Sequence, residues 1–385
     1  TTQDRSSDPA SRRPKRAHAV RQAQSRWAAP TGGFGLTSVV KRIASAMSTP
    51  RVPDDYLDLF DPLRAGADLR GKVVSITAET ADAATITIQP GKDWAGHTPG
   101  QYIRIGVDID GVRYWRAYSL THDVRRADGL ISITSKAIPD GLVSNYLVRR
   151  APADILVHLD QATGDFVLPS TPPAKILFIT AGSGLTPVMG MLRSRLSDLS
   201  DVVHVHLAPS AKDVIFADEL RSYAASGRLR LVQHLDDESG IFDLATLDQV
   251  VPDWRERRAW VCGPTGLLNA AESYWADADL ADALHVERFR PTLIEGGEGG
   301  EITFLASDVT IDADGSTTIL DAGEDAGVLM PSGCRMGICM GCVVTLHQGA
   351  VRDLRTGEIT IAEPGDELPI QTCVNAVAGS CDLDL

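Results

Sequence analysis

Two changes in hydrophobic period and one crowd of cysteines predict a multidomain α+β chain. Residues 69–168 form short β-branched runs broken by Gly, Asp and Pro; from residue 174 continuous apolar strands alternate with helical stretches; residues 301–385 hold five of the six cysteines. At 385 residues the chain is too long for one ordinary core, so separate domains are expected. Its 43% hydrophobic content is that of a globular protein, and no apolar run approaches the roughly 18–20 residues of a membrane span. No apolar signal-peptide core follows the early charges, so a cytoplasmic location is expected. Clustered cysteines in such a chain point to metal or redox work rather than a disulfide scaffold.

The elements follow in order. Residues 1–68 form a basic extension. Its first thirty residues are rich in Arg, Ser, Ala and Pro, a composition that does not build a core. Leu36, Val40, Ile43 and Met47 then recur at helical spacing with Lys41 and Arg42 off that face. This short basic amphipathic helix could lie on an anionic membrane surface or pack on the protein itself. Residues 69–170 contain RGKVVSITAET, ATITIQP, QYIRIGV, RYWRAYSL, GLISITSKA and DILVHL, strands spaced as in a barrel or sandwich. Residues 171–290 contain the buried strands AKILFIT, VVHVHLA, LRLVQHL and AWVCG, separated by helical segments such as LTPVMGMLRSRL, which predicts a covered parallel sheet. Residues 291–300 are glycine-rich and read as a linker. In 301–385, EITFLAS and VTIDADG predict a hairpin that opens a small third domain.

The net charge of −14 is unevenly spread. Residues 1–50 hold nine Lys/Arg against two Asp, and residues 301–385 hold fourteen Asp/Glu against three Arg. A basic head and an acidic tail imply two electrostatic partners, or simply solvated surface. No nucleic-acid partner is expected.

Cys334, Cys339 and Cys342 are separated by four and then two residues, and Cys373 follows after thirty more. This is the plant-type spacing for a [2Fe–2S] cluster held by four thiolates. Zinc sites more often use two separated pairs of cysteines, a pattern this spacing does not fit. Gly333, Gly337 and Gly341 allow backbone N–H groups to approach the sulfurs.

Upstream, AGSGLTP at 181–187 ends a buried strand and opens a helix, where Gly182 and Gly184 let a pyrophosphate approach the helix N-terminus. The order G-x-G-x-x-P lacks the third glycine of the usual fingerprint, and a strand-to-helix turn without a ligand is the plain alternative. RAYSL at 116–120 offers an arginine for a phosphate, a tyrosine for an aromatic ring and a serine hydroxyl for a ring nitrogen.

Together these motifs resemble the ferredoxin-reductase-like flavoproteins with a fused plant-type ferredoxin, over roughly residues 69–385. The resemblance implies a flavin-binding antiparallel β-barrel, a Rossmann-like α/β nucleotide domain and a β-grasp ferredoxin domain. It implies that Arg116 binds the flavin phosphate, that Tyr118 packs on the isoalloxazine and that Ser119 hydrogen-bonds it. GLVS at 141–144 is similar to the loop in which Gly141 and Ser144 cap the pyrophosphate of FAD, although some relatives use FMN. In the nucleotide domain Gly182, Gly184, Thr186 and Pro187 match the pyridine-nucleotide loop, with Thr186 near the nicotinamide. Cys262 and Gly263 match the family's CGP, which puts Cys262 beside the hydride-transfer position. Glu287 and Phe289 resemble the domain end that lies close to the flavin. Tyr118, Ser119, Thr186 and Cys262 are thus the residues expected at the reacting groups. Ser210 and Lys212, where many relatives have an arginine, could hold a 2′-phosphate or face solvent, which leaves NADPH or NADH as donor.

A nicotinamide gives up two electrons and a [2Fe–2S] cluster takes one, so a flavin between them must split the pair. The domain order therefore reads as NAD(P)H to FAD to [2Fe–2S] to an outside acceptor. The extension, including STPRVPDDYLDLFDPL at 48–63, is similar to reductases of membrane-bound di-iron fatty-acyl desaturases or alkane hydroxylases. A basic head suits an anionic membrane beside such a partner. Reductases of Rieske-type oxygenases share the three domains, and a non-enzymatic redox sensor is the reading from another class.

Overall fold

The computed structural model describes residues 60–66, 68–139, 141–289 and 297–385. The amphipathic segment around Leu36–Met47 and most of residues 291–300 lie outside the described residues.

Six strands form the first sheet: β1 Arg70–Thr80, β2 Ala83–Pro90, β3 Tyr102–Ile109, β4 Val112–Ser119, β5 Ile131–Lys136 and β6 Leu156–Leu159. Their order is β4-β3-β6-β1-β2-β5, with antiparallel pairing throughout. A bridge from Leu120 to Ile133 joins the two edges, which makes the sheet a barrel. Alternate residues such as Ile86, Ile88, Ile103, Ile105 and Val107 fill its interior. Helix α1, Leu142–Arg149, buries Val143 and Leu147 against it.

The second sheet is parallel: β7 Lys175–Ala181, β8 Asp201–Ala208, β9 Arg230–Leu235, β10 Arg258–Cys262 and β11 Leu284–Glu287, in the order β11-β10-β7-β8-β9. Its helices are α2 Leu185–Arg195, α3 Ala217–Ala225, α4 Asp236–Ser239, α5 Leu247–Val250 and α6 Thr265–Asp277. The continuous apolar strands are explained by burial on both faces. Ile176 and Phe178 pack with α2 and α3, whereas Leu177 and Ile179 pack with Leu247 of α5 and Leu268 and Trp275 of α6. Gly190 lets α2 meet the barrel, since a Cβ there would lie 2.3 Å from the Leu120 carbonyl oxygen.

The third sheet comprises β12 Gly297–Phe304, β13 Val309–Gly315, β14 Val343–Asp353, β15 Ile359–Ala362, β16 Leu368–Gln371 and β17 Asn375–Leu383, with α7 Ile319–Asp325 packed into its core. The order is β13-β12-β17-β14-β15 with β16 beside β14, and β12 runs parallel to β17. β12 starts at Gly297, inside the segment read as a linker. The glycines there serve close packing rather than flexibility: a Cβ on Gly300 would lie 1.5 Å from the Gly379 carbonyl oxygen.

The three sheets belong to one compact unit, Leu57–Leu385. Among the described residues no helix is long and apolar enough to cross a membrane.

Candidate functional site: a cavity between a barrel, a parallel sheet and a cysteine loop

β4 carries Arg116, Tyr118 and Ser119 into a cavity of about 640 Å³ that Cys334 and Cys373 also line. Arg116 is half-buried, and its Nη1 donates to a neutral partner, the Trp115 carbonyl, at 2.8 Å. Burial and the nearby Arg335 guanidinium both push its pKa down, so the cavity favours an anion there. The Ser119 hydroxyl is buried without a partner. A desolvated cation and an orphaned hydroxyl on one strand fit a flavin phosphate and a flavin ring atom.

GLVS is a helix N-terminus, not a loop. Gly141 is the N-cap of α1, no side chain caps the exposed N–H groups, and Ser144 Oγ donates to the Gly141 carbonyl at 3.2 Å. Both residues line the cavity. Free N–H groups at the positive end of a helix suit a pyrophosphate, and a Cβ at Gly141 would lie 2.4 Å from Ser144 Oγ.

A second cavity of about 1060 Å³ contains Gly182, Gly184 and Gly263, and shares Ser183 and Phe289 with the first. Gly182 has φ +53, and a Cβ at Gly184 would lie 2.2 Å from the Cys262 carbonyl oxygen. Thr186 lines the first cavity and donates from Oγ1 to the Ser183 carbonyl at 2.9 Å, while Pro187 is buried in the first turn of α2.

Four residues expected at the flavin or the nucleotide line neither described cavity, one of them Pro187 in the first turn of α2. Cys262 is fully buried among Phe178, Trp260 and Met191, and burial holds its thiol well above the usual range; its neighbour Gly263 is the residue on the wall. Ser210 donates to Asp213 Oδ2 at 2.6 Å, and Lys212 is exposed; neither lines the described cavities. The spacing of HLAPSAKDVIF could not reveal that Asp213 takes up the Ser210 hydroxyl.

Glu287 lines the first cavity, as Thr186 and Phe289 do, and pairs in register with Cys262. Its Oε2 has no partner, and burial pushes its carboxyl up to about 8.

The four cysteines meet as two pairs. Cys342 and Cys373 Sγ atoms are 3.2 Å apart, and Cys339 Sγ accepts the N–H of Cys334 at 3.1 Å and of Gly341 at 3.3 Å. Cys334 Sγ accepts from the Met336 N–H at 3.3 Å. Two thiolate pairs, each beside donor N–H groups, fit two irons and the negative charge of a [2Fe–2S] cluster. Arg335 and Met340 adopt φ +57 and +55 to wrap the loop. Arg335 is tied to Asp321 at 2.9 Å and to Glu324; its place beside Cys334 was the available sequence signal. Cys381 is buried in the core of the third domain, where desolvation pushes its thiol up to about 12, and it is apart from this loop.

Fold and cavity define a class: a pyridine-nucleotide-dependent oxidoreductase with flavin and iron–sulfur domains. Family profiles agree, with the oxidoreductase FAD-binding domain matching residues 71–167, the oxidoreductase NAD-binding domain residues 178–273 and the 2Fe-2S iron-sulfur cluster binding domain residues 302–377. An NADPH oxidoreductase of Mycobacterium tuberculosis is 46% identical over 353 residues, covering 90% of this chain and 92% of that protein. The ferredoxin reductase component of 3-ketosteroid-9-alpha-monooxygenase from Mycolicibacterium smegmatis is 30% identical over 306 residues, covering 73% and 86%. Phthalate dioxygenase reductase has the same fold, with a TM-score of 0.56 at 21% identity over 82% of this chain and 98% of that one. The chain belongs to the ferredoxin-reductase-like flavoproteins with a C-terminal [2Fe–2S] ferredoxin domain.

Proposed function

We propose that this oxidoreductase carries electrons from NADPH through FAD and a [2Fe–2S] cluster to a membrane-bound di-iron fatty-acyl desaturase or alkane hydroxylase. The observation that carries the route is the shared cavity, which Arg116, Tyr118 and Ser119 line together with Thr186, Cys334 and Cys373. In this reading residues 69–170 hold FAD, 171–290 hold the nicotinamide nucleotide and 301–385 hold the cluster. Bound flavin supplies the exchange between a hydride pair and single electrons. The chain's own groups do the rest. Arg116 and the α1 N-terminus anchor phosphates, Ser119 orients the ring, Thr186 positions the nicotinamide, and Cys334, Cys339, Cys342 and Cys373 hold the irons.

The donor assignment rests on the 46% identical relative named for NADPH. The acceptor assignment rests on the resemblance of residues 48–63 and on charge. Residues 1–50 carry a net +7, which suits an anionic bilayer, and the acidic third domain suits a basic docking face. Ile338 and Met340, 53% and 65% exposed beside Cys339, offer an apolar centre for that contact.

A second reading, reductase for a Rieske-type or other oxygenase, is favoured by the monooxygenase reductases among the relatives. Reconstitution separates the two. The full chain, NADPH and a membrane acyl desaturase in anionic vesicles should give desaturated product, with turnover falling when residues 1–50 are removed. Turnover with a soluble oxygenase alone, indifferent to vesicles and to residues 1–50, would transfer the assignment to the second reading.

A further inference from the structure

Arg104 lies in β3 between Ile103 and Ile105, and points away from the barrel interior that those two fill. Its Nη1 pairs with Asp160 Oδ2 at 3.1 Å, and its guanidinium carbon lies 5.2 Å from the centre of the Trp115 ring. Nε is buried and has no partner. The other arm leaves the barrel. A carbon placed on Gly333 would lie 2.4 Å from Cys339 Sγ and 3.3 Å from Arg104 Nη2, so sulfur and guanidinium are no farther apart than the sum of those distances. A carbon on Gly341 would likewise lie 3.3 Å from the sulfur and 3.6 Å from Nη2. The two glycines flanking Cys339 therefore make room for a cation that the barrel supplies.

We propose that Arg104 is a positioning residue for electron transfer: a fixed positive charge that the flavin barrel places beside Cys339, raising the reduction potential of the cluster held there. The inference rests on the [2Fe–2S] reading of the four cysteines. Reduction adds one electron to the cluster, so a nearby cation stabilises the reduced form more than the oxidised one. Asp160 offsets this only in part. Its side chain is 42% exposed against 20% for Arg104, so water screens the carboxylate more effectively. The physical need is plain, because plant-type clusters near −400 mV are poor acceptors from a nicotinamide-reduced flavin. Arg104 supplies its help only when the third domain is docked, so the charge favours uptake in the docked arrangement.

The test is an EPR-monitored redox titration of the full-length holoprotein. Arg104→Gln should lower the cluster midpoint by about a tenfold change in the one-electron equilibrium, about 59 mV, with the EPR line shape retained. Arg104→Lys should recover most of that shift. Asp160→Asn, which removes the opposing charge and retains the arginine, should move the midpoint upward. A merely structural role would not give shifts of opposite sign. An unchanged midpoint in Arg104→Gln, or a downward shift in Asp160→Asn, overturns the proposal. Should Arg104→Gln fail to assemble, Arg104→Met, which removes the same charge, should give the same downward shift, and an unchanged midpoint there overturns the proposal. An unmutated protein without any [2Fe–2S] signal would instead overturn the cluster reading itself.

Discussion

Gly184 and Gly333 stand in two glycine-rich turns that look alike in the sequence, yet each excludes a side chain for a different reason. At Gly184 the obstacle is the protein's own backbone, the Cys262 carbonyl at the end of β10. At Gly333 the obstacles are a sulfur and the tip of a side chain from another sheet. The first turn is closed by a fixed fold and presents its N–H groups to a guest. The second curls about its own cysteine sulfurs and turns backbone N–H groups toward them. A glycine motif thus reports that something comes near without saying what.

The largest expected effect separates the two turns outright. Cys339→Ser should abolish the cluster's visible absorbance and cluster-dependent cytochrome c reduction, while stopped-flow reduction of the flavin by NADPH is retained; loss of both would mean the turns are not independent. Gly184→Ala is the reverse case. Its Cβ meets backbone that cannot swing aside, so a loss of about 3 kcal/mol is expected from urea unfolding, with the iron content of folded protein unaffected. Between the turns, Arg116→Ala should weaken flavin retention by about 1.5–3 kcal/mol, or about ten- to a hundredfold in Kd, measured by equilibrium dialysis. Full flavin occupancy in dilute protein would count against its role.

A further effect, set by pH, concerns Glu287. Its folded-state pKa is raised from 4.5 to about 8 by burial, so the folded protein holds this proton more tightly than the unfolded chain. The resulting stability is fully present below about 4.5 and is lost progressively as pH rises to about 8. Glu287→Gln should flatten that decline in thermal unfolding across the same window. An unaltered pH profile would show that the carboxyl titrates normally.

Much of the fold was legible because period and burial coincide. RGKVVSITAET is β1 residue for residue, and AKILFIT reads as doubly buried because helices cover both faces of β7. The cysteine loop was legible because cluster geometry dictates spacing. What stayed hidden depends on contacts distant in sequence. GLVS begins a helix because Val143 and Leu147 find the barrel core, and Gly297–Gly300 is strand because Gly379 lies against it. Cys262 is sealed by Phe178 and Trp260 from the same sheet, and Ser210 is claimed by a nearby carboxylate. Arg104 gave no signal, since an outward arginine in a barrel strand ordinarily means solvent.

The first cavity draws its walls from all three domains: Arg116 from the barrel, Glu287 from the parallel sheet, Cys334 from the cysteine loop. Such a space has no interior until the final piece arrives. A chain shorn of its last eighty-odd residues would leave one flank of the ring open to air, and should betray itself by making peroxide.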